Sequence, residues 1–405
     1  MRRRIWLMVL FLAGSFGFLD AGSAHAIPAF ARREHLMCQD CHFRVPELKD
    51  DARHYIERGL REMPPEGQAM ERMSGQGMTM SETVPIAETE RSLGQPLPLQ
   101  WADYLTVMGH HMFNARRGER AEFDAGEIDI WAAGPINRHW SGLANPSFDI
   151  EEGGSDVDQG YGQFITAWRE KFGSARFGQI LPFAILFHQG GPGLPLSSPA
   201  VLSTPGDTGS PWTPDTLLRG VEIGAVDIPR WNVYFGAAQP RLEDAPTDDR
   251  HTDVYASAKY QFGRDDKTVS LDGYGYLGKV SLFPGDHGQG FHRAGAFVNV
   301  RHLDTQAQAG YLQGSDDLPG GRSLDNSGYF VLVERILSDR WAAYGRYDHF
   351  RRDLNAGGTE TVRGPVIGVS FWAASEVILT AEGQLLDSSG KPEDRILQTQ
   401  FLWVF

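Results

Sequence analysis

The stretch TDVYASAKYQF, Thr252–Phe262, alternates apolar and polar side chains along its length. One face carries Val254, Ala256, Ala258, Tyr260 and Phe262, and the other carries Asp253, Ser257, Lys259 and Gln261. A period of two predicts a β-strand with one apolar and one polar face. The stretch VILTAEGQLL, Val377–Leu386, repeats the pattern. We therefore expect the same kind of strand near the end of the chain.

Comparable stretches recur from about residue 97 onward, separated by Gly-, Asp- and Pro-rich breaks. They predict sixteen strands, at residues 98–112, 123–134, 138–150, 160–171, 174–186, 216–226, 229–239, 252–263, 267–282, 290–302, 304–314, 326–337, 340–351, 362–373, 375–386 and 393–405. The composition agrees, because 47 glycines with 23 Phe, 12 Tyr and 10 Trp suit antiparallel β-structure with many turns.

The connections between these predicted strands alternate in length. Short ones such as GPINRH and GRDDK lie between longer ones such as EEGGSDVDQG and QGSDDLPGGRSLDNS. Outer-membrane barrels have short periplasmic turns and longer outer loops. We predict an all-β fold, a transmembrane antiparallel β-barrel of about 16 strands. The alternative is a soluble β-sandwich or lipocalin-like barrel, which needs no alternation of loop lengths and has about eight strands in small barrels.

The final stretch ILQTQFLWVF, Ile396–Phe405, supports the membrane barrel. Leu397, Phe401 and Trp403 share a face with Phe405, and Thr399 is the one polar break. The stretch resembles the terminal strand by which outer-membrane barrels are recognised for insertion.

The longest break runs from His188 to Asp215 and follows the fifth predicted strand. In the predicted order it is the third outer loop. Its apolar residues are costly to expose to water, and this favours a loop folded into the barrel over one held in solvent. The residues concerned are Leu194, Leu196, Val201, Leu202 and Trp212.

The chain begins with three arginines and an apolar run from Ile5 to about Leu19, followed by Ala24-His25-Ala26. This layout predicts a secretory signal peptide at residues 1–26, cleaved after Ala26. An N-terminal membrane anchor is the alternative, although the run is short for a span of about 20 residues. Removing Arg2, Arg3, Arg4 and Asp20 changes the net charge from −14 to −16. Such an acidic exported chain does not suggest a nucleic-acid partner, and it attracts cations.

The two cysteines of the chain lie in Cys38-Gln39-Asp40-Cys41-His42. The spacing CxxCH predicts covalent attachment of one haem c. The thiols of Cys38 and Cys41 add to the two vinyl groups, and His42 becomes the proximal iron ligand. A zinc site would need a second ligand pair at matching spacing, and a thioredoxin-like site would need a βαβ pattern. Neither feature follows in the sequence.

The distal haem ligand has two leading candidates, Met63 and His54. A methionine raises the reduction potential relative to a second histidine. His54 falls on a short helix predicted over Glu47–Leu60. We predict that residues 27–80 form a small helical haem segment, residues 81–96 a linker and residues 97–405 the barrel. Because about 50 residues build little core of their own, we expect the haem segment to plug the barrel lumen.

The stretch PAFARREHLMCQDCHFRVPEL, Pro28–Leu48, resembles the fused outer-membrane monohaem cytochrome c–porins of Fe(II)-oxidising bacteria. Phe30-Ala31-Arg32, the haem motif, Pro46 and Leu48 carry the likeness, which extends loosely over the whole chain. The sequence KDDARHYIERGLREM, which follows, departs from the Phe-Gly-rich stretch of related sequences.

The resemblance implies that electrons pass from extracellular Fe(II) through the single haem c to a periplasmic c-type cytochrome or other soluble carrier. The expected location is the outer membrane, with its lipid around the barrel. Two alternatives stay open: a diffusion porin with a haem-containing, redox-sensitive plug, and a conduit with a different donor or acceptor.

Charged residues of the barrel lead to two hypotheses, one about the electron donor and one about the haem. Acidic outer loops fit a cationic donor; their residues are Glu151, Glu152, Asp156, Asp158, Glu243, Asp244, Asp248, Asp249, Asp316 and Asp317. Arginines on predicted strands are expected to face the lumen and pair with haem propionates; they are Arg169, Arg293, Arg301 and Arg346.

Overall fold

In the computed structural model, residues 253–264, which include nearly all of the opening stretch, form one strand of a closed barrel. The structure describes residues 42–44, 47–48, 57, 105–136, 139–150, 154–168, 171–186, 195–207, 212–228, 230–240, 251–264, 267–280, 289–318, 321–338, 340–374, 377–389 and 394–404. Among these residues, no helix is both long and apolar enough to cross a membrane.

Sixteen strands build the barrel wall. They are β3 (Leu105–Arg116), β4 (Glu122–Pro135), β5 (Trp140–Asp149), β6 (Ser155–Trp168), β7 (Lys171–Ile180), β8 (Leu218–Ile228), β9 (Trp231–Pro240), β10 (Asp253–Arg264), β11 (Lys267–Val280), β12 (Gln289–His302), β13 (Thr305–Leu318), β14 (Arg322–Ser338), β15 (Trp341–Asp353), β16 (Thr359–Ala374), β17 (Val377–Ser388) and β18 (Asp394–Val404). Two short helices, α1 (Phe183–Leu186) and α2 (Ala200–Ser203), lie between β7 and β8.

Each strand pairs with its sequence neighbours in antiparallel register, and β18 pairs with β3 to close the sheet. The closing register runs from Val404 opposite Met108 to Ile396 opposite Arg116. Closure removes the sheet edges, so every strand has two neighbours for its backbone hydrogen bonds. The predicted all-β antiparallel barrel and its sixteen strands are confirmed, and the soluble β-sandwich is wrong for this chain.

The polar faces of the strands point inward and the apolar faces point outward. In β10, Asp253 is 1% exposed, whereas Val254 beside it is 47% exposed. This is the reverse of a water-soluble protein and suits a wall that faces lipid outside. Exposed aromatic side chains lie on the outer surface: Trp140, Trp231 and Trp341 are at the starts of β5, β9 and β15, and Tyr311, Tyr329 and Tyr347 lie about midway along β13, β14 and β15. Aromatic girdles flank the apolar band of outer-membrane barrels, and the three tryptophans match such a girdle at one end.

The two ends of the barrel differ in the length of their connections. One end carries the turns at 136–139, 169–170, 229–230, 265–266, 303–304, 339–340 and 375–376. The other carries the connections at 117–121, 150–154, 181–217, 241–252, 281–288, 319–321, 354–358 and 389–393. The predicted alternation is confirmed, although the second end includes some short turns.

Several predicted boundaries are wrong, and two of these errors concern the longer connections. The fifth predicted strand ran to residue 186, but β7 ends at Ile180. Pro182 follows and cannot donate a ladder hydrogen bond. The long outer loop predicted for Gln313–Ser327 is much shorter, because β13 extends to Leu318 and β14 begins at Arg322, and these two residues pair with each other. Gly321, with φ +78°, supplies the left-handed backbone that the turn needs.

A small two-stranded sheet precedes the barrel in sequence. β1 (His42–Arg44) pairs with β2 (Glu47–Leu48), with His42 opposite Leu48 and Arg44 opposite Glu47. The helix predicted over Glu47–Leu60 therefore does not begin at Glu47, because Glu47 and Leu48 pair in an extended ladder.

Candidate functional site

The predicted haem residues lie almost wholly outside the described residues. Cys38, Cys41, His54 and Met63 are not among them, and neither is the predicted signal peptide. The backbone of His42 opens β1. The haem c site and its distal ligand therefore stay predictions.

Glu57, in the predicted haem segment, lies inside the barrel. It is completely buried. Its backbone carbonyl accepts a hydrogen bond from Nε2 of Gln163 at 3.0 Å, and its Oε2 accepts one from Nδ2 of Asn232 at 2.8 Å. Gln163 is on β6 and Asn232 is on β9, and both face the lumen. At this residue, the segment after the haem motif is bonded to two separate parts of the wall.

A small cavity beside Glu57 is lined by Phe183, Tyr234, Lys259 and Asp272. Lys259 on β10 is directly opposite Asp272 on β11 in the register of the sheet. A buried carboxylate is costly unless polar groups solvate it. This part of the wall supplies such groups, so that the acidic side chain of Glu57 lies in a polar environment.

The connection between β7 and β8, residues 181–217, is the inner loop. It begins against a buried arginine of β7. The guanidinium of Arg176 lies 3.5 Å from the ring centre of Phe183 and donates from Nη2 to the Leu181 carbonyl at 3.1 Å. Arg176 also pairs with Glu222 on β8, with 2.9 Å from Nε to Oε1. Tyr255 donates its hydroxyl to the same carboxylate at 3.0 Å. These contacts direct the start of the inner loop into the lumen.

The inner loop then reaches the opposite wall. β15 is eight strands from β7, which is half of the closed sixteen-strand ring. Arg346 of β15 donates from Nη2 to Oγ of Ser197 at 2.9 Å. The carboxylate of Glu382 on β17 accepts hydrogen bonds from the Leu196 amide at 3.0 Å and from the Ser197 hydroxyl at 2.5 Å. The loop thus crosses the lumen and is bonded at its far side.

Apolar packing secures the loop beyond this point. Val201 and Leu202, both in α2, are buried. A Cβ at position 328 on β14 would lie 2.9 Å from Cγ2 of Val201. Gly328 therefore leaves room for the helix. Two polar contacts follow, from Arg352 Nη1 to the Pro205 carbonyl at 2.7 Å and from the Asn355 amide to Asp207 at 2.7 Å.

The returning part of the loop packs on an aromatic cluster of the wall. The Trp212 ring lies 4.8 Å from that of Tyr276 and 4.6 Å from that of Phe291. Asp215 is in the same part of the loop. Its carboxylate accepts a hydrogen bond from the Thr213 hydroxyl. Burial raises the pKa of the Asp215 carboxyl, and the hydrogen bond from Thr213 opposes this shift. The inward position predicted for Val201, Leu202 and Trp212 is confirmed.

Three of the four arginines predicted to face the lumen do so. Arg293, Arg301 and Arg346 are all buried on the inner face, and Arg169 lies outside the described residues. Arg293 pairs with Asp316 at 2.8 Å, and Arg346 pairs with Asp348 at 3.0 Å. The wall thus gives two of these guanidinium groups protein partners. Their predicted pairing with haem propionates stays a prediction.

The prediction of acidic outer loops is wrong at four residues. Asp316 and Asp317 lie in β13, and Asp316 faces the lumen, where it binds Arg293 and Asn326. Their strand extends further than its alternation indicated. Asp156 and Asp158 are likewise in a strand, β6. Glu151, Glu152, Glu243, Asp244, Asp248 and Asp249 lie outside the described residues.

A closed sixteen-strand barrel with one long loop crossing its lumen defines the fold of an outer-membrane porin. Solved structures of outer-membrane proteins have a similar fold. The loop L8 deletion mutant of OmpT from Vibrio cholerae matches with a TM-score of 0.57 at 14% identity, over 74% of this chain and 98% of that one. The anion-selective porin from Comamonas acidovorans matches with a TM-score of 0.57 at 10% identity, over 74% and 98%.

OprB from Pseudomonas putida matches with a TM-score of 0.53 at 9% identity, over 75% of this chain and 93% of that one. At these identities the likeness concerns the fold. No protein-family model matches the sequence, and no curated protein does. The chain is thus a porin-like outer-membrane β-barrel.

Proposed function

We propose that this chain is an outer-membrane electron conduit with one covalently attached haem c. Electrons enter from extracellular Fe(II) and leave to a periplasmic c-type cytochrome or another soluble carrier. Each Fe(II) loses one electron to become Fe(III), and the carrier gains that electron, so no bond of a substrate is made or broken. A cleaved signal peptide at residues 1–26 would deliver the chain for insertion into outer-membrane lipid.

The observation that carries the proposal is the burial of Glu57 in the lumen. Glu57 follows His42 by fifteen residues, and its backbone and side chain are bonded to Gln163 and Asn232. A haem on the motif would therefore be tethered to the interior of the barrel. An apolar band about 25 Å tall separates the two sides of the membrane, and a group held inside the barrel is reachable from both.

The residues of the motif fit haem c. Cys38 and Cys41 would form the thioethers, and His42 would ligate the iron. Met63 or His54 would be the distal ligand. The bound haem supplies a one-electron couple whose potential depends on that distal ligand, a methionine giving the higher value. Around it, the barrel wall would limit water and supply arginines for the propionates.

Vesicle transport tests the proposal. Purified protein is inserted into vesicles that enclose an oxidised soluble cytochrome c, and Fe(II) is added outside. We expect reduction of the enclosed cytochrome with the wild-type chain and none with Cys41→Ala, which keeps the barrel but lacks one thioether. A heat-dependent shift in gel mobility checks that the variant barrel is folded. Failure of the wild-type chain to reduce the enclosed cytochrome would contradict the proposal.

A second candidate is a diffusion porin whose haem segment is a redox-sensitive plug. The fold favours it, since the lumen is crossed by a loop bonded to the wall and its polar lining suits solutes. Single-channel conductance measured with oxidised and with reduced protein distinguishes the two. A conductance that changes with redox state favours the plug, and a closed lumen in both states favours the conduit. A conduit with another donor or acceptor, such as a multihaem partner, would pass electrons but not from Fe(II).

A further inference from the structure

Three potential metal ligands come together on the inner wall. They are His110 on β3 and Glu127 and Asp129 on β4. One ligand atom from each lies within 4.8 Å of the other two. Nδ1 of His110 is 4.0 Å from Oδ2 of Asp129. Two ligands of one zinc ion, each about 2.1 Å from the metal, are at most about 4.2 Å apart, so small side-chain shifts bring the set to coordination distance.

A β-bulge creates this arrangement. The register of β3 against β4 shifts between His110 and Met112. Gly126, with φ +76°, lies opposite the shift, and a Cβ there would overlap the His110 carbonyl oxygen. The Gly126 amide donates to Asp124 Oδ1 at 2.6 Å. Bulges re-aim side chains and are frequent next to functional sites. Here the bulge directs His110 toward the acidic side chains of β4.

The cluster faces the interior of the barrel. His111, the next residue, stacks with Phe401 and with the exposed ring of Phe123 on the outer surface. Since successive strand side chains point to opposite faces, His110 points inward. Asp129 is buried on the same inner face. The ligands are therefore presented to the lumen and not to lipid.

The environment of the His110 imidazole also favours a bound metal ion. Its side chain is 13% exposed, and within the described part of the chain Nδ1 makes no hydrogen bond. Buried polar nitrogens normally have a hydrogen-bond partner. A distance of 4.0 Å to Asp129 is too long for a hydrogen bond, but a metal ion between the two groups would give Nδ1 of His110 a partner.

We propose that His110, Glu127 and Asp129 bind one divalent transition-metal ion on the lumenal wall. Two carboxylates balance the ion's charge, and one imidazole favours zinc, iron or copper over the harder magnesium and calcium. Asp149, opposite Glu127 in the register with β5, adds negative charge that attracts cations. The site does not depend on the presence of haem.

Equilibrium dialysis of the full-length protein with Zn²⁺, followed by elemental analysis, tests the site. We expect one equivalent of Zn²⁺ per chain that is retained in millimolar Mg²⁺. His110→Ala, Glu127→Gln and Asp129→Asn are each expected to weaken that equivalent at least tenfold. His349→Ala is the control, because His349 stacks on Tyr329 on another part of the wall and its loss leaves the three ligands intact.

Folding of each variant is checked by its heat-dependent gel mobility, and Glu127→Gln provides a variant of nearly unchanged volume. The proposal is overturned if the wild-type chain retains no Zn²⁺ equivalent in the presence of Mg²⁺. It is equally overturned if folded Glu127→Gln and Asp129→Asn proteins bind Zn²⁺ as tightly as the wild type.

Discussion

Glu382 is the residue of β17 that holds the inner loop against the far wall of the lumen. Its carboxylate accepts hydrogen bonds from the Leu196 amide, the Ser197 hydroxyl and Nε2 of Gln384, the last at 2.9 Å. Tyr344 also donates its hydroxyl to it. Hydrogen bonds to a charged acceptor are stronger than those between neutral groups. The residue therefore joins the inner loop to the far wall.

We expect Glu382→Ala to lower the free energy of unfolding by roughly 1–3 kcal/mol, because it leaves buried donors without an acceptor. Asp387→Ala on the same strand is the matched control. Asp387 is 56% exposed and pairs with the equally exposed Arg363, and such surface pairs contribute about 1 kcal/mol or less. Urea unfolding in detergent, followed by tryptophan fluorescence, measures both. Equal losses for the two variants would contradict the role given to Glu382.

Asp215 gives the inner loop a dependence on pH. Burial raises the pKa of its carboxyl, so the folded loop favours the protonated form. This contribution to stability is present at acid pH, below the carboxyl's pKa in the unfolded chain. It is lost as the pH rises through the raised pKa.

Asp215→Asn keeps an acceptor for the Thr213 hydroxyl and removes the charge. Relative to wild type, this variant should gain stability as the pH rises from about 4 to 7, because only the wild-type carboxyl ionises. The difference in unfolding midpoint at each pH measures the effect. A difference that does not change with pH would show that the carboxyl is not held protonated by burial.

Residue-level roles were the hardest part to predict. The sequence placed Arg293 and Arg346 on strands with lumenal faces, and this is confirmed. Their partners were not predictable, since Arg346 binds Ser197 from a position 149 residues away. Glu57 was overlooked because its neighbours show no motif, and its significance depends on Asn232, 175 residues distant. Pairing at such separations follows from barrel closure and not from a local pattern.

Among the elements, the inner loop is held by its short helix as well as by polar contacts. Leu202 in α2 is completely buried, whereas Ser203 beside it is exposed. Burying a leucine side chain contributes about 1.5–3 kcal/mol. The apolar composition of the stretch predicted this inward position. The helix itself was not predicted, since four residues are too few for a periodic pattern.

Leu202→Asp should release the inner loop from the wall, because a buried unpaired charge is strongly unfavourable. We expect protease added to the folded protein to cut the loop in this variant and to leave the wild type intact. Ser203→Asp is the matched control, with the same charge one residue away at an exposed position. Resistance of Leu202→Asp equal to that of Ser203→Asp would contradict the packing of α2.

At the scale of the whole molecule, the barrel has an inverted distribution of polarity. Many polar and charged side chains of the wall face the interior, which also holds the apolar cluster packed on the inner loop, and large apolar side chains cover the outside. Alternation along each strand predicted this arrangement, and strand count and loop alternation followed from it. The lengths of individual loops did not, because strands such as β13 and β14 continue past the end of the apolar pattern with polar side chains.

The outward apolar face predicts a depth-dependent cost of charge. Ile367, near the middle of β16, is 65% exposed. Ile367→Arg should cost about 2–4 kcal/mol in lipid, and Thr359→Arg at the strand end about 0–1 kcal/mol. Reversible unfolding in phospholipid vesicles compares them. Equal costs at the two depths would contradict a membrane around this part of the wall.

The central claim is that Fe(II) delivers electrons to a haem held by Cys38, Cys41 and His42. Stopped-flow mixing of the purified haem-loaded protein with Fe(II), read by the haem absorbance and combined with a redox titration, tests it most directly. We expect reduction of the wild-type haem by Fe(II) and loss of that signal in Cys41→Ala. A correctly loaded haem that stays oxidised in excess Fe(II) would contradict it.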